Sequence, residues 1–140
     1  MKKYILLIPL LGIISCNTYK RDKFTYNQDN KQSWIDSYKY EAFYGCINEG
    51  LENDSLRILL KNKDLLNSNL DLSFSIIDEA RSFGKKIIKN MPKPIIKIDK
   101  GDESLKNKNF ISYNCLKYYA SKDLDSIAHK AYKDKVENSK

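Results

Sequence analysis

Two cysteines, far apart in the chain, each fall on the apolar face of a stretch with helical periodicity. No other feature limits the possible folds as much. In Trp34-Ile-Asp-Ser-Tyr-Lys-Tyr-Glu-Ala-Phe-Tyr-Gly-Cys46, the residues Ile35, Tyr38, Ala42 and Cys46 recur at i, i+3, i+7 and i+11. In Asn109-Phe-Ile-Ser-Tyr-Asn-Cys-Leu-Lys-Tyr-Tyr-Ala-Ser-Lys-Asp-Leu-Asp125, the residues Ile111, Cys115, Tyr118 and Tyr119 fall at i, i+4, i+7 and i+8. Whether the two thiols pair depends on the compartment in which the chain resides.

The N-terminus addresses that question. Lys2 and Lys3 precede an apolar run from Tyr4 to Ile14, too short for a bilayer span of about 20 residues and laid out like a secretory signal. Ile13-Ile14-Ser15-Cys16 resembles a bacterial lipoprotein box, which makes residues 1–16 a signal peptide and Cys16 the lipidated first residue of the mature chain. The plainer alternative is a signal cleaved near Ser15 that leaves Cys16 a spare thiol. Asn17, in place of an aspartate, matches sorting to the outer membrane facing the periplasm. The chain has three cysteines, so lipidation of Cys16 leaves two in an oxidising compartment where disulfides persist. A Cys46–Cys115 bridge would close a loop of about 70 residues, worth about 4 kcal/mol in the chain-entropy picture. A metal site is the poorer alternative, because there is no C-x-x-C spacing and His129 is the sole histidine. No cofactor is expected.

The chain carries a net charge of +7, which Lys2 and Lys3 would lower by two on leaving with the signal. In a cytosolic protein that balance would raise nucleic acid as a partner. The export signal argues against it, and the lysines lie scattered among acids. Anionic head groups, the cell wall or an acidic protein are more plausible targets.

The periodicity predicts an all-α fold, a small bundle of about five helices stapled by one disulfide. Residues 17–32 read as a polar tether and 33–140 as the helical domain. The first helix is expected to open on Ser33 as N-cap, with Asp36 in capping-box position, and to end with Gly50 as its C′ residue. Asn53-Asp54-Ser55 is expected to cap a second, shorter helix bearing Leu56, Leu59, Leu60 and Leu66, which Asn67-Ser68-Asn69 breaks. The third is expected over 71–90. Leu70, Leu72, Phe74 and Ile76 alternate like a strand, but Ile76, Ile77, Ala80, Phe83, Ile87 and Ile88 keep helical spacing. Gly84 inside it would cost about 1 kcal/mol relative to Ala unless a neighbouring helix approaches closely. Pro92 and Pro94 end the helix, and the connection to Lys108 lacks a helical pattern. Ser121 N-caps a last helix with Leu124, Ile127, Ala128, Ala131 and Tyr132 on one face, and residues 136–140 are expected to fray.

No catalytic constellation stands out. His129 reads as a surface side chain, and the acidic pairs Asp78-Glu79, Asp102-Glu103 and Asp123/Asp125 as helix surface and turn residues. The chain is expected not to be an enzyme.

The two cysteine segments resemble the signature segments of type VI secretion amidase-immunity proteins, the family cognate to the fourth group of amidase effectors. Tyr44-Gly-Cys-Ile47 is similar to the family's Tyr-x-Cys-Ile-like pattern. Cys115-Leu-Lys-Tyr-Tyr-Ala-Ser-Lys-Asp-Leu-Asp125 is similar to its terminal Cys-Leu-Asp-x-Tyr-x-Ser-x-x-Leu-Asp. Cys46, Cys115, Ser121, Leu124 and Asp125 match, while Lys117 stands where the family commonly has Asp and Ala120 where it often has His. The resemblance implies a helical periplasmic protein, often a homodimer, that blocks a papain-like peptidoglycan amidase by putting a loop into its catalytic groove. Within this chain, the turn-forming run Asp99, Lys100, Gly101, Asp102, Glu103 and Ser104 is the candidate effector-binding loop, with Asp102 or Glu103 placed to meet a catalytic histidine or a basic rim. That placement comes from the loop's own composition. An envelope lipoprotein with a structural or scaffolding role is the alternative reading.

Overall fold

The computed structural model describes residues 29–52, 54–63, 72–95 and 108–138. The signal segment with Cys16, most of the expected tether and the candidate loop Asp99–Ser104 lie outside the described residues. Among the described residues five helices follow in order: α1 (Asn30–Leu51), α2 (Asp54–Lys63), α3 (Phe74–Lys89), α4 (Ile111–Tyr119) and α5 (Lys122–Asn138). There is no strand among the described residues, and the Cys46–Cys115 disulfide is formed, with the two Cα atoms 5.7 Å apart. The all-α, disulfide-stapled bundle read from the sequence is the fold observed.

Helix α1 is the spine on which α3, α4 and α5 pack. Its contacts with α3 advance together along both helices, from Tyr38–Glu79 through Glu41–Arg81 to Glu49–Lys85, so α1 and α3 run parallel. On the other side the order reverses. Gly50 meets Ile111, Cys46 bonds Cys115, Phe43 meets Tyr119 and Trp34 meets Tyr132. Helices α4 and α5 therefore descend α1 in series, α4 along its C-terminal half and α5 along its N-terminal half. Helix α2 has at most marginal contact with the others among the described residues, and its Ile58 and Leu59 are exposed.

The buried face of α1 is broader than the apolar stripe predicts. Trp34, Ile35, Tyr38, Ala42 and Cys46 are buried as their spacing requires, and Ser37, Glu41 and Gly45 form a second buried stripe beside them. The core gathers Trp34, Ile35, Tyr38 and Ala42 with Leu72 and Ala80 from one side and Leu124 and Ala128 from the other. Small residues bring α3 very close. A Cβ on Gly84 would run into the carbonyl oxygen of Ala42 and come within 2.6 Å of the Cys46 backbone nitrogen. A Cβ on Gly45 would stand 2.5 Å from the Arg81 carbonyl oxygen. Backbone faces backbone at this crossing, which is the close approach anticipated from Gly84.

Several boundaries differ from the sequence reading. Helix α1 begins about one turn before Ser33, because Asp29 serves as N-cap and accepts from the Gln32 backbone N–H at 2.6 Å. Gly50 stays helical under the side chains of Ile88 and Ile111, and Glu52 takes the left-handed cap conformation at φ 46°. Helix α3 starts at Phe74, with Ser73 as its N-cap. The strand-like alternation there has no counterpart in burial, since Leu72 is buried and Phe74 faces out. Ser121 caps α5 as expected, accepting from the Leu124 N–H at 3.2 Å, and α5 continues to Asn138 beyond the expected fraying point.

Replacing Gly84 by Ala should lower the unfolding free energy by about 3 kcal/mol or more, since overpacking between backbones outweighs the helix-propensity gain. Gly50→Ala meets side chains instead of backbone, Cγ2 of Ile111 at 2.6 Å and Cδ1 of Ile88 at 2.8 Å, which must shift to admit it, and should cost less than Gly84→Ala, about 1–2 kcal/mol. Urea titrations of both variants check the pair, and equal midpoints would show that the crossing is not close.

Candidate functional site

The residues singled out for function fall into two groups. Cys46 and Cys115 come together as a bond in which both sulfurs are fully buried. Neither is a thiolate nucleophile in this state. The described residues flanking the 96–107 connection close in at one end of the bundle. Ile88, in the last turn of α3, and Ile111, in the first turn of α4, both touch Gly50 at the end of α1. Ile95 and Lys108 are exposed.

Each matched residue of the cysteine segments has a definable place in this frame. Tyr44 lies under the Arg81 guanidinium, 4.8 Å from ring to Cζ, and Gly45 permits the α3 backbone to approach. Ser121 caps α5 while donating its hydroxyl to the Tyr118 carbonyl at 2.7 Å. Leu124 is fully buried, and Asp125 pairs with Lys39 at 3.0 Å. Lys117 and Ala120, the positions that depart from the family pattern, are both exposed, so neither change disturbs a core contact.

Three polar assemblies line the helix interfaces. Tyr38, fully buried, donates its hydroxyl to Glu79 at 3.1 Å. Burial and then the Glu79 carboxylate, by charge and by hydrogen bond, push the Tyr38 phenol well above its ordinary range. Glu41, 1% exposed, accepts from Arg81 Nε at 2.7 Å, so a buried carboxylate is met by a cation whose guanidinium rests on the Tyr44 ring. Lys39 joins Asp125 to the face of the Tyr119 ring at 5.3 Å, at the junction of α4 and α5. Burial also raises Tyr119, with Asp36 adding to it and Lys39 opposing, and raises Tyr118, with Asp123 adding.

Glu41, Arg81 and Lys39 were not singled out in the sequence. The available signal was position: Ser37, Glu41 and Gly45 repeat at i+4 beside the apolar stripe, and Arg81 adjoins Ala80 on the Ala80/Gly84 stripe of α3. Helix α4 also shows Phe110, Tyr113 and Leu116 outward at spacings of three, each more than half exposed. His129 is exposed, with Nε2 3.7 Å from an Asp125 oxygen. Among the described residues no group of three or more His, Cys, Asp or Glu side chains is placed to hold a metal ion. Nor is any described helix long and apolar enough to cross a membrane.

No family model, curated protein or solved structure matches this chain. The resemblance to the amidase-immunity family therefore stands on the cysteine segments themselves.

The three raised phenols fix a pH dependence. Their protons leave the unfolded chain near the ordinary value of 10 but stay longer on the folded one. The tyrosine contribution is fully present below that value and is lost as pH rises through the folded pKa values. Stability measured by urea unfolding should fall as pH rises above about 10. Tyr38→Phe should cost about 1 kcal/mol at neutral pH by removing the bond to Glu79 and should make the alkaline fall shallower. An unchanged alkaline slope would show that Tyr38 titrates normally.

Proposed function

We propose that this chain is a periplasmic immunity protein that binds a type VI secreted peptidoglycan amidase and occludes its catalytic groove. The observation that carries the reading is the paired resemblance of Tyr44–Ile47 and Cys115–Asp125 to the two signature segments of that family. In support, the fold joins those segments through one disulfide, and their matched residues serve as staple, cap, core and ion pair.

An inhibitor by occlusion needs no catalytic group of its own. It needs a rigid frame, because ordering costs subtract from affinity, and it needs a projection that enters the partner's groove. The frame is the stapled α1–α3–α4 unit. The projection we assign is Asp99–Ser104, between the end of α3 and the start of α4, with Asp102 or Glu103 meeting a catalytic histidine or basic rim. Lipidation of Cys16 would tether the inhibitor to the outer membrane in the compartment where the toxin arrives, and a homodimer would add a helix of the second copy to the contact.

The test is co-expression with the cognate cysteine amidase exported to the periplasm. The full chain should protect cells from lysis. A variant in which Asp99–Ser104 is replaced by glycine and serine should bind the amidase about thirtyfold more weakly or worse, the loss expected when a contact hot spot is removed. It should keep the parent's helical circular dichroism and disulfide. Full protection by the replacement variant would refute the loop assignment, and failure of the full chain to bind any such amidase would refute the function.

A further inference from the structure

Helix α4 is attached to the molecule differently from its neighbours. It has nine residues, and a helix of that length does not persist alone in water. Its only fully buried residue is Cys115. Phe110 at its N-cap and Tyr113 and Leu116 within it point outward at 60%, 64% and 58% exposure, so these three side chains contribute little to docking. Its N-terminal end is lightly supported, with the Asn109 side-chain oxygen accepting from the Phe110 N–H at 2.8 Å. The N-cap Phe110 makes no side-chain cap bond, and the first turn carries no acidic residue.

The neighbours are held by other means. Helix α3 is seated by Ala80 and Gly84 against the α1 backbone. Helix α5 buries Leu124 and Ala128 completely and starts with the Ser121 cap and Asp123 and Asp125 in its first turn. The C-terminal turn of α4 shares that security, since Tyr118 packs on the core and Tyr119 meets Phe43 and Lys39. Toward the other end lie the half-buried Ile111 over Gly50, the half-buried Asn114 and the sulfur bridge to α1.

We propose that the Cys46–Cys115 disulfide is a redox lock on α4. In the oxidised chain α4 is docked, and in the reduced chain its segment from Ile111 to about Lys117 unfolds from α1 while α1, α3 and α5 stay folded. The reductant is a dithiol. One of its thiolates attacks either sulfur, the Cys46–Cys115 bond breaks, and the departing sulfur takes a proton. The second thiolate of the dithiol then attacks the mixed disulfide, releasing the other cysteine, which is also protonated. Two electrons pass to the protein, and the dithiol becomes a disulfide. Because both sulfurs are fully buried, the attacking thiolate gains access only when α4 lifts. The lock is therefore shielded by the element it holds. In a reducing compartment the opened state is retained, and in an oxidising one closure restores α4 and its outward face of Phe110, Tyr113 and Leu116. The inference does not depend on the proposed immunity function.

Hydrogen exchange followed by mass spectrometry on the full chain, oxidised and after reduction with dithiothreitol, tests it. Exchange over 111–117 should become faster by about tenfold or more on reduction, while 34–48, 76–88 and 124–135 keep their protection. The double variant Cys46→Ala/Cys115→Ala, which keeps small apolar side chains at both positions but has no bond, should match the reduced parent. Unchanged protection of 111–117 in either the reduced parent or the variant would overturn the proposal. Simultaneous loss of protection in all the helices would also overturn it, because the bond would then hold the whole fold rather than one helix.

Discussion

Cys46 is the residue through which three helices meet. Its backbone nitrogen lies under Gly84 of α3, where even a methyl group would not fit, and its sulfur is bonded to Cys115 of α4. One turn of α1 thus takes a van der Waals constraint on one side and a covalent one on the other. The first works through dispersion between backbones at close range, which is lost quickly if the helices separate. The second works mainly on the unfolded chain, by closing a long loop. Their coincidence on one turn fixes where α3 and α4 sit relative to each other, although the two helices share few contacts of their own.

The rest of the interface is arranged around that crossing. Small residues at Ala42, Gly45, Ala80 and Gly84 leave room for the backbones, and the charges of Glu41 and Arg81 close the gap beside them. Burying the Glu41 carboxylate is costly unless a cation and hydrogen bonds meet it, and Arg81 does so while resting on Tyr44. Lys39 performs the equivalent role on the opposite face, tying Asp125 of α5 to the ring of Tyr119 in α4. The polar groups at these interfaces thus specify register as well as satisfying one another. A frame of this kind suits a protein whose proposed work is to present a surface.

Much of this was legible in the residues. Helical periodicity placed Cys46 and Cys115 on inner faces, Ser121 announced the start of α5, and Gly84 implied a close neighbour. What escaped was the second stripe of α1. Ser37, Glu41 and Gly45 are a small polar residue, a charge and a helix breaker, so a pattern of apolar residues passes over them, and Glu41 meets its cation 40 residues away. The start of α1 was displaced because Asp29 and Ser33 are both competent caps, and local sequence does not rank them. Gly50 looked like a terminus for the reason that glycine usually is one, yet here it is covered by Ile88 and Ile111. The alternation around Phe74 illustrates the opposite error, a pattern in the sequence with no counterpart in burial. The candidate loop Asp99–Ser104 was read from turn chemistry alone and lies outside the described residues.

The account as a whole depends on the two inner cysteines being oxidised in the protein as cells make it. The direct measurement is peptide mapping by mass spectrometry after cells that make the protein are lysed and denatured in the presence of an alkylating agent and without reductant. The account predicts a single cross-linked species containing the Cys46 and Cys115 peptides, with no label on either, and full labelling of both once a reductant is added. Recovery of both peptides separately, each carrying the label before any reductant is added, would contradict it.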